Sequence, residues 1–397
     1  MRAYFAPCGI GLGHASRCLA VARKLTDLGY EIIFSTYGEA SRYVELNGFK
    51  VLPTSSIEYE LKPDGSIDIG GTIAKGPRIF YNFSRQLGAD LYYQTLLTPD
   101  VVISDSRITS SLAALIKRVP HVLITNQLLI LLPAERKGKG IFENFILDFI
   151  MTVWKKADAI LIPDFPPPYT ISKGNLAFDD DFEEKVFLIG PIIMKLPHEL
   201  PPREVIREEL NIGEDLKLVL VLLSGTKREK EVTLTYLRSL LMEMRDLEDY
   251  LFVISEGKVG EEVKEVRITD NIISYTWLPN KFELLKASDI VIGHGGHTTI
   301  AEAMYYGVPM VLLPNKGHTE RLSNARSMEE LGLAKVIRGD MLNERRLRRA
   351  LLEVSNEEYR RRAERISREI AIFNGAKKAA QIIDRVVKGM SIDARRS

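Results

Sequence analysis

Short runs of aliphatic residues alternate along this chain with longer stretches whose apolar residues recur at helical spacing. Arg2–Ala6 is the first such run; a Gly-rich turn follows it, and Ala15–Leu28 then keeps apolar residues on one helical face until Gly29. The other runs predict strands at Glu31–Thr36, Lys50–Pro53, Asp100–Ser104, His121–Thr125, Ala159–Ile162 and Val186–Ile189. Strands rich in Val and Ile that alternate with helices predict βαβ units and a parallel sheet.

The alternation stops at 190–202, where GPIIMKLPHELPP contains four prolines. This composition predicts an extended linker. A second series of strands follows, predicted at Lys217–Leu223, Tyr250–Ile254, Ile272–Tyr275, Ile290–Ile292 and Met310–Leu313, and charged helical sequence closes it. We therefore predict an α/β protein with two doubly wound domains. The predicted bounds are 1–190 for the N-terminal domain, 191–204 for the linker, 205–370 for the C-terminal domain and 371–397 for a C-terminal helix that could pack back on the N-terminal domain.

Composition excludes several classes of protein. The 397 residues are 45% hydrophobic and 27% charged, which are ordinary globular values. A net charge of +1 argues against a protein built to bind nucleic acid. Cys8 and Cys18 can form neither a disulfide framework nor a four-ligand zinc site by themselves. Since no apolar run reaches the length of a spanning helix, we expect a soluble or peripheral cytoplasmic protein. We also expect that it needs no cofactor.

One stretch, 128–156, could contact the inner face of a membrane. Leu128–Leu132 is apolar, and the predicted helix Ile141–Trp154 has a broad apolar face. Basic residues flank this helix, as in interfacial segments that bind anionic lipid: Arg136, Lys137, Lys139, Lys155 and Lys156. The alternative is a helix that is buried between the domains.

The segment from Trp277 to Ala325 carries the clearest chemistry. It contains WLPN, then DIVIGHGGHTTIAEA, then a stretch that ends in TERLSNA. The second of these predicts a buried strand, a Gly-Gly turn and a helix, so that backbone N–H groups and a partial positive charge face the turn. His294, Thr298 and Thr299 add donors there, and Glu302 lies one helical turn further on. This arrangement suits a diphosphate followed by a ribose.

Together these motifs resemble the donor-binding region of GT-B glycosyltransferases, in particular the UDP-glucuronosyltransferases and the N-acetylglucosaminyltransferase that makes lipid II. In the first half, the loop Gly9–His14 and Asp105 after the strand DVVIS resemble the N-terminal motifs of the same family. Gly190-Pro191 is similar to the turn before its linker. The resemblance implies two Rossmann-like domains that face a central cleft, with the donor bound by the second domain.

The resemblance also implies a role for each matching residue. Trp277 would stack on or wall the nucleobase, Asn280 would hold the nucleoside and Glu302 the ribose. The diphosphate would be bound by Ser224, Gly225, Thr226, His294, Gly295, Gly296, Thr298 and Thr299. Glu320 would contact hydroxyls of the sugar. Many relatives have Asp-Gln or Gln-Gln where this chain has Glu320-Arg321, and this arginine could meet an acidic sugar or turn to solvent.

An acceptor hydroxyl needs a general base, and His14 is the candidate because imidazole titrates near neutral pH. It follows the loop that contains Gly11 and Gly13, which we assign to the acceptor side. Asp105 would orient the imidazole and stabilise its charged form. Alternatively, His14 could cap a helix or face a phosphate, and Asp105 could cap a helix starting near Ile108.

The predicted activity is inverting, metal-independent transfer of a hexose or N-acetylhexosamine from a UDP-sugar to a hydroxyl of a lipid-linked or small glycan acceptor. The inverting, metal-independent course is what the resemblance implies. Two alternatives remain at this point: a nucleotide-sugar epimerase of the same fold, and a non-catalytic nucleotide-sugar sensor. The presence of both His14 and Asp105 counts against the sensor.

Overall fold

The computed structural model of the chain describes residues 1–57, 76–126, 141–176, 184–315 and 318–391, without the side chains of residues 141–147 and 175. The described residues divide into two compact units. The first unit contains the chain up to Met194 and the segment from Phe373 onward, and the second is Lys195–Ile372. None of the described helices has both the length and the hydropathy to cross a bilayer.

A parallel sheet of seven described strands, in the order β3-β2-β1-β4-β5-β6-β7, forms the first unit. The strands are β1 (Arg2–Pro7), β2 (Glu31–Thr36), β3 (Lys50–Pro53), β4 (Val101–Asp105), β5 (His121–Ile124), β6 (Ala159–Ile162) and β7 (Val186–Leu188). The helices between them are α1 (Gly13–Asp27), α2 (Gly38–Leu46), α3 (Gly76–Leu97), α4 (Ile108–Lys117) and α5 (Ile141–Trp154).

The central strands of this sheet are buried on both faces, which explains their unbroken apolar sequence. Phe5 of β1 belongs to the core on one face and its neighbour Tyr4 to the core on the other, because successive side chains of a strand alternate. The first of these cores also contains Leu19 of α1 and Ile383 of a helix near the end of the chain. This last helix therefore completes the hydrophobic core of the first unit.

The second unit contains another seven-stranded sheet within the described residues, in the order β10-β11-β9-β8-β12-β13-β14. All its pairs are parallel except β10 with β11. The strands are β8 (Lys217–Leu222), β9 (Tyr250–Ser255), β10 (Glu265–Thr269), β11 (Ile272–Tyr275), β12 (Ile290–Gly293), β13 (Met310–Leu312) and β14 (Ala334–Val336). The prediction of two doubly wound parallel sheets is confirmed.

The remaining helices are assigned as follows. In the second unit they are α6 (Arg203–Glu209), α7 (Lys227–Glu243), α8 (Lys281–Ala287), α9 (His297–Tyr306), α10 (Thr319–Glu330), α11 (Glu344–Val354) and α12 (Glu357–Ile370). The helix that returns to the first unit is α13 (Gly375–Val387), which packs on α1.

In each sheet the strand order reverses beside the first strand of the unit. The reversal lies between β1 and β4 in the first sheet and between β8 and β12 in the second. In open α/β sheets, ligands bind at the carboxyl ends of the strands that flank such a switch point. Each unit therefore offers one candidate site, and both candidate sites lie on loops singled out by sequence motifs.

The stretch 128–156 is described only in part. Residues 128–140 lie outside the described residues, as do the side chains of 141–147. At the end of α5, Trp154 is buried in a small core that Ile150 and Met151 also contact, whereas Phe149 is exposed. The membrane contact stays a prediction.

Candidate functional site

The first site joins the loop after β1 to the end of β4. These strands are paired, with Pro7 opposite Asp105, and the Cys8 N–H donates to the Asp105 carbonyl at 3.0 Å. This register places His14, in the first turn of α1, beside the Asp105 side chain. His14 Nδ1 lies 2.7 Å from Asp105 Oδ1. The carboxylate is fully buried, whereas the imidazole is 26% exposed, so one edge of the ring can reach a bound molecule.

Arg17, which the sequence analysis did not single out, completes this site. It lies one helical turn after His14, on the same face of α1. Arg17 Nε donates to Asp105 Oδ2 at 3.1 Å and its terminal NH2 group to Oδ1 at 2.8 Å. That NH2 group also lies 3.0 Å from His14 Nδ1. The spacing H-x-x-R at the start of a helix was the signal available in the sequence.

The charges of this cluster keep Asp105 ionised. Burial alone would raise the pKa of Asp105, but the Arg17 guanidinium and His14 outweigh it and lower that pKa to about 2. An ionised Asp105 accepts a hydrogen bond from Nδ1–H of His14. In that tautomer the lone pair of the ring lies on Nε2, the nitrogen that a general base uses. Asp105 does not cap α4, since the helix begins after Arg107 without a side-chain cap.

The loop Gly9–His14 connects the end of β1 to α1, and its backbone conformation keeps His14 close to that strand end. Gly11 has a φ of +71°, a conformation that L side chains rarely adopt. Gly13 is the first residue of α1, so His14 lies inside the first helical turn and not before it. The helix thus begins two residues earlier than the apolar pattern predicts.

The second site is built by the turns after β8 and β12, the two strands at the other switch point. His294 Nδ1 lies 2.6 Å from the carbonyl oxygen of Ser224, which joins the turns directly. A Cβ on Gly296 would come within 2.7 Å of Ser224 Oγ, so only glycine allows this close approach. α9 begins at the next residue and ends against Gly307, with Thr298 and Thr299 in its first turn.

His294 is fully buried and neutral. Burial and the positive charge of Arg321 lower its pKa to about 3. Its Nδ1–H donates to Ser224, which leaves Nε2 with a lone pair and without a hydrogen-bond partner among the described residues. In this state the ring holds the two turns together, and its predicted role as a donor to the diphosphate requires a proton on Nε2.

The Ser224–Thr226 turn is also the start of α7. Thr226 caps that helix, and Glu229 completes a capping box by accepting from the Thr226 backbone N–H at 2.7 Å. Sequence reasoning missed Glu229, although the spacing T-x-x-E is the standard signal for such a box. The other Glu229 oxygen lies 3.3 Å from Arg321 NH1.

Arg321 is buried in α10 and turns neither to solvent nor away from the turns. A Cβ on Gly225 would lie 2.8 Å from Arg321 NH2, and one on Gly295 would lie 2.7 Å from the Arg321 carbonyl oxygen. The guanidinium therefore lies against the Ser224–Thr226 turn. The expectation of a solvent-facing arginine is not what the structure shows. Glu320 precedes it and is half-buried.

The predicted ribose ligand has a partner of its own. Glu302 is fully buried in α9, and Lys281 Nζ donates to its two carboxylate oxygens at 2.7 and 2.6 Å. Lys281 is the first residue of α8, directly after Asn280, which is the N-cap residue of that helix. Trp277 lies in the same connection, between β11 and α8, and is half-buried. The segment WLPNK thus reaches the helix that follows the Gly-Gly turn.

Among the described residues, no group of three or more His, Cys, Asp or Glu side chains is placed to hold a metal ion. The positive groups at the second site are instead Lys281 and Arg321, together with the N–H groups at the start of α9. Arg321, Glu302 and the turns after β8 and β12 all belong to the second unit, and the His14 cluster belongs to the first.

Comparison with known proteins adds independent findings. A family model for the glycosyltransferase family 28 C-terminal domain matches residues 237–386. An uncharacterized glycosyltransferase of Methanosarcina acetivorans is 30% identical over 390 residues, which cover 96% of this chain and 97% of that protein.

One further similarity covers part of the chain, and another covers the whole fold. The UDP-N-acetylglucosamine–N-acetylmuramyl-(pentapeptide) pyrophosphoryl-undecaprenol N-acetylglucosamine transferase of Pseudothermotoga lettingae is 35% identical over 141 residues, 35% of this chain and 39% of that enzyme. The solved structure of the spinosyn forosaminyltransferase SpnP matches with a TM-score of 0.69 at 18% identity, covering 98% of this chain and 99% of that one.

Proposed function

Starting from the fact that this chain belongs to the GT-B glycosyltransferases and carries their family 28 C-terminal domain, we propose that it is an inverting transferase that uses a UDP-sugar. The sugar, a hexose or N-acetylhexosamine, goes to a hydroxyl group of a lipid-linked or small glycan acceptor. The observation that carries this proposal is the 2.7 Å contact between His14 and Asp105 at the switch point of the first sheet.

His14 supplies the base. Its Nε2 takes the proton of the acceptor hydroxyl while the acceptor oxygen forms a bond to the anomeric carbon. The bond between that carbon and the diphosphate oxygen breaks, and its electron pair leaves with UDP. Asp105 holds the ring through Nδ1 and stabilises the imidazolium that forms, and Arg17 fixes the carboxylate. Attack opposite the leaving group inverts the anomeric configuration.

The second unit binds the donor in this proposal. The start of α9 and the Ser224–Thr226 turn hold the diphosphate, and Glu302 accepts hydrogen bonds from the ribose hydroxyls. Trp277 walls the base and Glu320 contacts the sugar. The similarity of 35% of this chain to an enzyme named for UDP-N-acetylglucosamine and an undecaprenol-linked substrate supports both the UDP donor and a lipid-linked acceptor.

Product analysis tests the proposal against the epimerase and the sensor. The purified protein is incubated with UDP-glucose or UDP-N-acetylglucosamine, with and without a lipid extract, and the products are separated by chromatography. Transfer releases UDP only when an acceptor is present, an epimerase changes the sugar nucleotide without releasing UDP, and a sensor changes nothing. Acceptor-dependent UDP release supports the proposal, whereas a new sugar nucleotide or an unchanged donor contradicts it.

A further inference from the structure

The second site contains a buried arginine whose hydrogen-bonding capacity is mostly unused. The Arg321 side chain is 8% exposed and that of Glu229 is fully buried. A guanidinium has five N–H donors. Within the described residues, Glu229 is its only hydrogen-bonding partner, through one contact of 3.3 Å. No Arg321 nitrogen is among the buried polar atoms that lack a partner in the described part of the chain, so the unused N–H groups reach the surface of the site, where a bound molecule can accept from them.

Three features place that guanidinium at the phosphate turns. Its NH2 group lies so close to Gly225 that a Cβ there would come within 2.8 Å of it. Its positive charge is close enough to His294 to lower the pKa of that ring. Its own backbone contacts Gly295, and Asn324, one turn further along α10, donates to the Gly295 carbonyl at 3.3 Å. The arginine therefore adjoins both the turn after β8 and the turn after β12.

Glu229 holds the arginine in this place. Its Oε2 accepts from the Thr226 backbone N–H at 2.7 Å, so the carboxylate is fixed to the start of α7. Its Oε1 faces Arg321. The Glu229 carboxylate thus contacts both the N-terminus of the helix that begins after the Ser224–Thr226 turn and the Arg321 guanidinium beside it.

From this geometry we infer that Arg321 binds the diphosphate of the donor, not its sugar, and that Glu229 positions it. This inference rests on the proposed function. Phosphate oxygens would accept from the unused N–H groups, and bidentate arginine–phosphate contacts are strong. As the bond to the anomeric carbon breaks, negative charge grows on the departing diphosphate, and the fixed cation stabilises it. Because the guanidinium is committed to Glu229 and phosphate, the donor sugar is expected to be neutral.

Calorimetric titration with uridine, UMP and UDP tests this inference. Arg321→Gln should weaken UDP binding about tenfold to a hundredfold. UMP should lose less, and uridine should bind within twofold of wild type. Arg203→Gln is the matched control, because it removes an arginine–carboxylate pair with Asp289, at the opposite end of β12. This control should bind all three ligands like wild type.

Two further variants separate binding from structural support. Glu229→Gln keeps the capping box and the Arg321 charge but loses the carboxylate that holds Arg321, so it should weaken UDP binding a few-fold, less than Arg321→Gln, and leave uridine binding unchanged. Arg321→Lys keeps the charge without the fork and should lie between wild type and Arg321→Gln. The inference is wrong if Arg321→Gln leaves UDP binding unchanged or weakens uridine as much as UDP. The positioning role of Glu229 is wrong if Glu229→Gln binds UDP like wild type.

A sugar comparison and a simpler probe complete the test. Arg321→Gln should change the affinities for UDP-glucose and UDP-glucuronic acid by the same factor, and a selective loss of UDP-glucuronic acid would place the arginine at the sugar. Wild type that binds neither uridine nor UDP defeats the proposed function. Inorganic pyrophosphate then decides the inference separately: weaker binding by Arg321→Gln supports it, and equal or absent binding overturns it.

Discussion

Lys281 donates to both carboxylate oxygens of Glu302, at 2.7 and 2.6 Å, so the carboxylate expected to bind ribose is already neutralised by a lysine from the preceding helix, α8. Glu302 is fully buried, whereas the Lys281 side chain is 32% exposed. A ribose that replaces part of this contact would release the lysine toward water and keep the carboxylate satisfied. The ion pair thus explains how the Glu302 carboxylate can stay charged and buried when no ribose is bound.

Glu302→Gln should therefore weaken uridine and UDP by the same factor. The loss of charge-assisted hydrogen bonds to ribose is expected to cost about 1.5–3 kcal/mol. Calorimetry measures both affinities. Lys281→Met is the partner variant, and it should change uridine binding less, because the carboxylate remains. Equal uridine affinity in wild type and Glu302→Gln would remove Glu302 from the ribose site.

His14→Ala should abolish transfer and leave UDP-sugar affinity unchanged, because donor binding is assigned to the second unit. General-base catalysis contributes about 10²–10⁴-fold, and the loss should appear in kcat. Asp105→Asn should lower kcat less, since the imidazole remains but its orientation suffers. Steady-state kinetics with calorimetric donor affinities check this pair. Near wild-type turnover in His14→Ala would mean that another group takes the proton.

Arg17→Gln should destabilise the protein as well as slow it. Without its two contacts to Arg17, the buried Asp105 carboxylate keeps only His14 among the partners described above, and breaking a buried ion pair costs about 3–5 kcal/mol. Adding Asp105→Asn removes the stranded charge, so the double variant should recover part of that loss. The free energy of unfolding, from urea denaturation, measures both. Additive losses would show that the two residues do not interact.

Stability should fall as the pH is lowered from 7.5 to 5. Burial lowers the pKa of His121 to about 4, and burial together with Arg321 lowers that of His294 to about 3. Below their ordinary pKa near 6.5, both rings bind protons only in the unfolded chain. Their contribution to the free energy of unfolding is therefore constant above that value, and each ring lowers that free energy by about 2 kcal/mol between pH 7.5 and pH 5.

Denaturation at several pH values tests this dependence on a variant outside the site. His121→Leu should reduce the slope of stability against pH by its share, about 2 kcal/mol over that interval. His198→Asn is the control, since His198 is exposed. An unchanged slope in His121→Leu would mean that the ring takes up a proton in the folded protein.

Transfer should persist in excess EDTA. The positive groups that we assign to the departing diphosphate are Arg321 and the N–H groups at the start of α9, and these do not depend on a divalent ion. UDP release is measured with EDTA, and again after magnesium or manganese is added back. Complete loss in EDTA that either metal restores would contradict this expectation.

The sequence was sufficient for the strands that are buried on both faces. Glu31–Thr36, Ala159–Ile162 and Ile272–Tyr275 have the predicted bounds, because each contains consecutive apolar residues, mostly Ile, that have few alternatives. It was not sufficient for β10 and β14. β10 is an antiparallel edge strand with mostly exposed residues, and β14 has three residues, so neither has a clear hydrophobic pattern.

The site was predictable where a motif carries the chemistry, and not where partners come from distant elements. His14 and Asp105 are both visible as strand-end residues, but their contact depends on β1 pairing with β4 across 91 positions of sequence. The same holds for Arg321 and Glu229, which are 92 positions apart. A motif names one partner of such a pair, and only the topology of the sheet identifies the other.

The return of α13 to the first unit has a consequence for folding during synthesis. Ala379 and Ile383 of this helix lie in the same core as Phe5 and Leu19, whereas the described residues of the second unit run without interruption from Lys195 to Ile372, apart from 316–317. On the ribosome, the second unit can thus close its core while the first still lacks one side. The first unit is therefore the later of the two to complete its core, because the surface of α1 stays uncovered until Gly375–Val387 has emerged.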